Sequence, residues 1–225
     1  QDATLTTPMT SEAQCIECAA GTFCPTGAAA PTNCSAGTFN AAARRSECLK
    51  CAAGRFQAVE GAEGCDECTP GHYCKAGASA PLPCPAGTHQ DATLTTPMTS
   101  EAQCIECAAG TFCAVGSANA TECSPGTYNN QRRQATCRRC RAGRYQNASG
   151  ALDCMPCAPG HYCKAGASAP LPCPGGTHTN ATMITLGLPM TSVEECVICP
   201  EGTFCSVGSA APTPCAPGTF NPHTN

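Results

Sequence analysis

Apolar positions along this chain follow neither the helical period nor a sustained alternation. No 3.6-residue apolar pattern survives, because Pro or Gly interrupts every stretch before a helix could extend. What recurs instead is a six-residue unit, Cys-x-x-Gly-(Thr/Arg/His)-(Phe/Tyr/His), opening at Cys18, Cys34, Cys51, Cys68, Cys84, Cys107, Cys123, Cys140, Cys157, Cys173, Cys199 and Cys215. All ten aromatic residues sit in its sixth slot, and His89 and His178 fill the two remaining ones. One ring per unit, always at the same place, predicts a stacking role repeated along an axis, each ring covering a neighbouring disulfide. The invariant Gly of the unit predicts a positive φ in a tight turn. The elements expected are therefore short β-hairpin-like loops with little helix.

A longer period contains the short one. The 24-residue string QDATLTTPMTSEAQCIECAAGTFC begins at Gln1 and again at Gln90, and every cysteine from Cys15 to Cys84 recurs 89 positions later. A third copy resumes at Cys196 after three inserted residues. The organisation read from this is copy one at 1–89, copy two at 90–178 and a partial copy three at 179–225, as if cut from a longer array.

Composition shows why such an array needs covalent support. Leu, Ile, Val and Phe together number 23 of 225, and the apolar fraction is carried by 38 Ala and 24 Cys with no Trp. Burial at roughly 25 cal/mol per Å² cannot offset the chain entropy with side chains this small. Cysteine exceeds a tenth of the chain, the level of a disulfide scaffold, and disulfides persist in oxidising compartments. The expectation is a secreted or cell-surface protein, which excludes most cytosolic enzymology. A net charge of −4 with 12% charged residues argues against nucleic-acid binding by the chain as a whole. No apolar run approaches 18 residues, so neither a membrane span nor a signal peptide is read in it.

The segments CLKCAAGRF from Cys48, CRRCRAGRY from Cys137 and GTFCPTGAAAPTNCSAGTF from Gly21 resemble the cysteine-rich repeats of ephrin-receptor and tumour-necrosis-factor-receptor ectodomains. In style the chain is more similar still to the long arrays of protist and algal surface proteins, including flagellar hair (mastigoneme) glycoproteins. The resemblance implies a small disulfide-rich fold, an elongated tandem array of short hairpin-like loops without a large hydrophobic core. It also implies a pairing in which the Cys opening a unit closes with the first Cys of the next Cys-x-x-Cys: Cys34 with Cys48, Cys51 with Cys65, Cys84 with Cys104, Cys123 with Cys137, Cys140 with Cys154 and Cys173 with Cys196. Five openings lack that partner and carry a Cys directly after the aromatic, giving short bridges Cys18 to Cys24, Cys68 to Cys74, Cys107 to Cys113, Cys157 to Cys163 and Cys199 to Cys205. Cys15 and Cys215 are then left over, with partners expected beyond this stretch of chain. An alternative pairs Cys15 with Cys24 and Cys18 with Cys34, leaving Cys48 to bridge Cys51 and Cys137 to bridge Cys140, at the expense of strained Cys-x-x-Cys links.

Chemistry has little else to build on. Cys48/Cys51 with Cys65/Cys68 approach a zinc-ribbon spacing, but an oxidising compartment favours bridged sulfurs. Four of the five histidines, His72, His89, His161 and His178, repeat with the scaffold and are read as part of it. Asp2 and Asp91 stand without the alternating carboxylates that calcium needs. No enzyme activity, metal or cofactor is therefore expected, apart from covalent glycans. Asn33, Asn119, Asn147 and Asn180 each open an N-glycosylation sequon, with Asn33 disfavoured by the bridged Cys34 beside it. The Thr/Pro segments make Thr6, Thr7, Thr95 and Thr96 candidate O-glycan sites.

Two features mark candidate association surfaces. Leu94, Met98, Ile184, Leu186, Leu188 and Met190 cluster in the long inter-cysteine loops, where they either project toward another subunit or fold back onto their own rung. Arg132, Arg133, Arg138, Arg139, Arg141 and Arg144 stand where copy one adds Glu60, Glu63, Asp66 and Glu67. Such patches set register between arrays, bind acidic glycans or simply face solvent. The functional expectation is a structural glycoprotein of an extracellular filament or cell-surface coat that self-associates by stacking near-identical copies. The alternative is a ligand-binding receptor or adhesin ectodomain.

Overall fold

The structure, a computed structural model, describes residues 10–223. It is a tandem series of eleven two-stranded antiparallel hairpins. In the first, Thr22–Phe23 pairs with Thr32–Asn33, and in the second Thr38–Phe39 pairs with Leu49–Lys50. Register is kept in copy two, where Thr127–Tyr128 pairs with Arg138–Arg139 as its counterpart pairs with Leu49–Lys50. One helix, Ala181–Thr185, falls in the loop of copy three that carries the insertion, and three single 3-10 turns lie at Glu12–Gln14, Glu101–Gln103 and Val193–Glu195.

Each strand begins for a local reason. The Gly of every unit takes a positive φ, as at Gly37 (84°), which turns the chain tightly enough for the next residue to reach back. Where that residue is Thr, both its N–H and its hydroxyl donate to the carbonyl three positions earlier, as Thr38 does to Ser35 at 3.0 and 2.7 Å. The same Gly closes contacts to the following rung. The Gly37 N–H donates to the Gln57 carbonyl at 2.7 Å, and the Gly37 carbonyl accepts from the Cys51 N–H at 2.9 Å. Gly21 to Asn40, Gly54 to Cys74, Gly110 to Asn129, Gly126 to Gln146, Gly143 to Cys163, Gly176 to Cys205 and Gly202 to Asn221 repeat the first of these bonds at 2.7 to 2.9 Å.

A second glycine explains why the frame tolerates no side chain at that position. The Gly77 N–H donates to the Cys51 carbonyl, and a Cβ placed on Gly37 would lie 2.3 Å from the Gly77 oxygen. Gly166 meets Cys140 and Gly126 in the same way. Around Gly37 and Gly126 a rung thus touches the next and the next but one.

Among the described residues, the buried apolar side chains are fifteen cysteines with Tyr73, Met98 and Met190. The sulfurs are the core. The chain forms two compact units: residues up to Glu106 with Ala114–Asn119, and Cys107–Cys113 with residues from Ala120 on.

Candidate functional site

Eleven disulfides staple the frame. Cys34 bridges Cys48, Cys51 bridges Cys65, Cys84 bridges Cys104, Cys123 bridges Cys137, Cys140 bridges Cys154 and Cys173 bridges Cys196. Five short links join Cys18 to Cys24, Cys68 to Cys74, Cys107 to Cys113, Cys157 to Cys163 and Cys199 to Cys205. Cys15 and Cys215 carry no bridge, the first exposed and the second half-buried. Neither Cys48–Cys51 nor Cys137–Cys140 is joined, so the alternative pairing is not the one adopted. Sulfurs bound this way present no thiolate to a metal at the zinc-ribbon spacing.

The slot after each aromatic carries a role the sequence reading missed. It holds either the Cys of a short bridge or a polar residue. In the polar case the residue is mostly buried: Asn40, Gln57, Asn129, Gln146 and Thr179. The Asn40 amide nitrogen donates to the Thr22 carbonyl at 3.0 Å and to the Glu47 carbonyl at 3.1 Å, and Asn129 repeats this with Thr111 and Thr136. Gln57 and Gln146 reach the Gly64 and Asp153 carbonyls within their own rungs. At two rungs side chains substitute for the backbone carbonyl: the Gln90 Oε1 accepts the Gly71 N–H at 2.9 Å, and the Thr179 hydroxyl accepts that of Gly160. The restriction of this slot to Cys, Asn, Gln or Thr in all twelve units is the signal that would have revealed the ladder.

The aromatic rings are less uniform than one buried ring per rung. Tyr73 is buried, most are half-buried, and Phe204 and Phe220 are exposed. Burial and the neighbouring Glu101 carboxylate, which accepts the Tyr73 hydroxyl at 3.4 Å, raise the Tyr73 phenol above its ordinary value. His72 and His161 approach the Pro70 and Pro159 carbonyls through Nδ1, and His89 and His178 approach those of Gln90 and Thr179.

The long loops divide their apolar residues. Met98 is buried against Tyr73 and Cys84 with Leu94 packed beside it, and Met190 is buried in the equivalent loop. Backbone bonds place them there, since the Cys74 N–H donates to the Met98 carbonyl and the Cys163 N–H to that of Met190. Leu186 and Leu188 stay exposed. The Ile184 side chain lies outside the described residues.

Candidate modification sites are mostly accessible. Asn33, Asn119 and Asn147 are exposed, and Asn180 is half-buried with its Oδ1 accepting the Thr182 N–H at 2.9 Å. Thr95 and Thr96 are exposed, while Thr6 and Thr7 lie outside the described residues. At the position equivalent to Asn180, Asp91 accepts the Thr93 N–H and hydroxyl at 2.9 and 2.6 Å. Those bonds hold its carboxyl below the ordinary value.

With this geometry in place, residues 126–170 match the family described as tyrosine-protein kinase ephrin type A/B receptor-like. No curated protein matches the chain. The matched span covers two consecutive 14-residue bridges, Cys123–Cys137 apart from its first Cys and Cys140–Cys154, together with the short Cys157–Cys163 link. The chain is a cysteine-rich repeat protein, and its disulfides and ephrin-receptor-like repeats point to an extracellular or cell-surface location. Among the described residues, no helix is long and apolar enough to cross a membrane.

Proposed function

We propose that this chain is a structural glycoprotein of an extracellular filament or cell-surface coat, of the mastigoneme-like kind, without catalysis of its own. The observation that carries the reading is the recurrence of one joint. The N–H of the turn glycine donates to the backbone carbonyl of the slot after the next aromatic at eight rungs, and at Gly71 and Gly160 to the side chain of that slot, so the same joint recurs in copy after copy. A receptor site calls for one rung unlike its neighbours, whereas near-identical copies offer near-identical lateral surfaces for polymerisation. Histidines paired with backbone carbonyls fit a scaffold role better than acid–base work. Exposed sequons at Asn119 and Asn147 fit a glycosylated surface.

Electron micrographs of the purified protein at micromolar concentration test this. Filaments or ordered sheets are expected; discrete particles of one chain each would contradict it and leave the receptor or adhesin reading. Peptide mapping after glycosidase treatment is expected to find sugar at Asn119, Asn147 and Asn180, and less often at Asn33.

A further inference from the structure

The stretch 123–157 carries six arginines against the single acid Asp153, a net charge of +5 in a chain whose total is −4. Its counterpart 34–68, on the same hairpins and the same bridges, carries four basic against five acidic side chains, a net charge of −1.

Copy one shows where these positions converge. Leu49, Lys50, Ala52 and Arg55 line one shallow groove of about 490 Å³ together with Phe39 and Gly64. The 89-residue shift turns this set into Arg138, Arg139, Arg141, Arg144, Tyr128 and Asp153. Strand register and the glycine joints, Gly37 to Gln57 and Gly126 to Gln146, are the same in both.

Arg144 is anchored, donating to the Cys154 carbonyl at 2.6 Å and lying 3.9 Å from Asp153. Arg138, Arg139 and Arg141 are exposed and, among the described residues, form no ion pair. Arg132 is exposed on the preceding loop, likewise without one.

We infer that this face binds an acidic polysaccharide, a chain bearing sulfate or carboxylate groups at regular spacing. Guanidinium groups match both anions in bidentate geometry, and a row of them on consecutive rungs suits a repeating anion. A second copy of the chain is the poorer partner, since its equivalent stretch offers only −1 against +5 and its Glu67 already pairs with Arg55 at 3.0 Å. Single-stranded nucleic acid combines a basic groove with aromatic platforms on which successive bases stack, and only one ring, Tyr128, falls in this set. The inference is independent of filament formation.

The test uses the full chain, with heparin as the sulfated probe, alginate as the carboxylated probe, and neutral dextran and single-stranded DNA as references. The variant Arg132→Ala, Arg138→Leu, Arg141→Ala installs the residues that copy one carries at Ala43, Leu49 and Ala52, which the same frame accommodates. Binding to heparin, alginate or both is expected to fall steeply with salt and to weaken on the order of tenfold to a hundredfold in the variant, with elution volume and disulfide count unchanged. Leu49→Arg with Ala52→Arg in copy one is expected to strengthen retention. Equal retention of parent and variant, no retention at low salt, or tighter binding to the DNA overturns the inference. So does a change in oligomeric state on installing the variant without polysaccharide, which makes the face an interface between copies.

Discussion

Residues 34–68 and 123–157 lie 89 positions apart and share their bridges, their strand register and their buried Asn and Gln, yet their outward side chains differ by six units of charge. In one, Arg55 is matched by Glu67 at 3.0 Å. In the other, Arg144 keeps the bond to the Cys154 carbonyl that Arg55 makes to Cys65, but position 156 is Pro and its acid is Asp153 at 3.9 Å. The difference separates two layers of the molecule. Sulfurs, glycines and slot-seven amides fix the backbone, and the exposed strand residues are free to change without disturbing it.

The largest expected effect comes from breaking a staple in either region. Cys51→Ala with Cys65→Ala, and Cys140→Ala with Cys154→Ala, should each cost about 3 kcal/mol, the entropy of releasing a 15-residue loop. Denaturant titrations should give matching costs in the two copies. A cost in one copy alone would mean that charge, and not the bridge, holds that rung.

Next come the turn glycines. Gly37→Ala and Gly126→Ala place a Cβ 2.3 Å from the Gly77 and Gly166 oxygens at φ near +84°, and each should destabilise by at least about 2 kcal/mol. Thermal unfolding of the two variants checks this, and a neutral result at either site would show that rungs do not stack through this joint. Asn40→Ala and Asn129→Ala each remove two part-buried hydrogen bonds and should each cost about 1 to 3 kcal/mol.

Part of this frame is legible in the sequence alone. The hairpins were legible because Cys, Gly, Thr and a ring recur in fixed slots, each with a local reason to be there. Asn40 and Gln57 were not, because an amide after an aromatic looks like any turn residue until the neighbouring rung supplies the carbonyl it bonds. Met98 and Met190 were ambiguous for a related reason. Both precede Thr-Ser in loops of different length, and only the backbone bond from Cys74 or Cys163 turns them inward while Leu186 and Leu188 face out. The Arg cluster was legible as composition, whereas its placement on one face follows from the register that its two hairpins share with the copy-one groove.

A smaller effect separates the long loops by pH. Asp91 and Asn180 cap equivalent turns, one with a titratable group and one without. Because its bonds to Thr93 lower the Asp91 pKa from 3.8, the stability it contributes is present above that value and is lost as pH falls through the lower folded one. Amide exchange between pH 5 and pH 2.5, corrected for intrinsic rates, should show Thr93 losing protection while Thr182 keeps it. Equal behaviour of the two would remove the carboxylate from the account.

The smallest effect on stability belongs to the charges. Arg132→Ala, Arg138→Leu, Arg141→Ala should move the unfolding free energy by no more than about 0.5 kcal/mol, since exposed unpaired charges contribute little. A larger change would tie the two layers together.

Peptide mapping of the non-reduced protein tests the frame most directly. The account predicts linked peptides joining Cys34 to Cys48, Cys51 to Cys65, Cys123 to Cys137 and Cys140 to Cys154, with six-residue links such as Cys18 to Cys24 and Cys68 to Cys74. Peptides closed within themselves by Cys48 to Cys51 and Cys137 to Cys140 would contradict it, because no rung could then be stapled to its own opening turn.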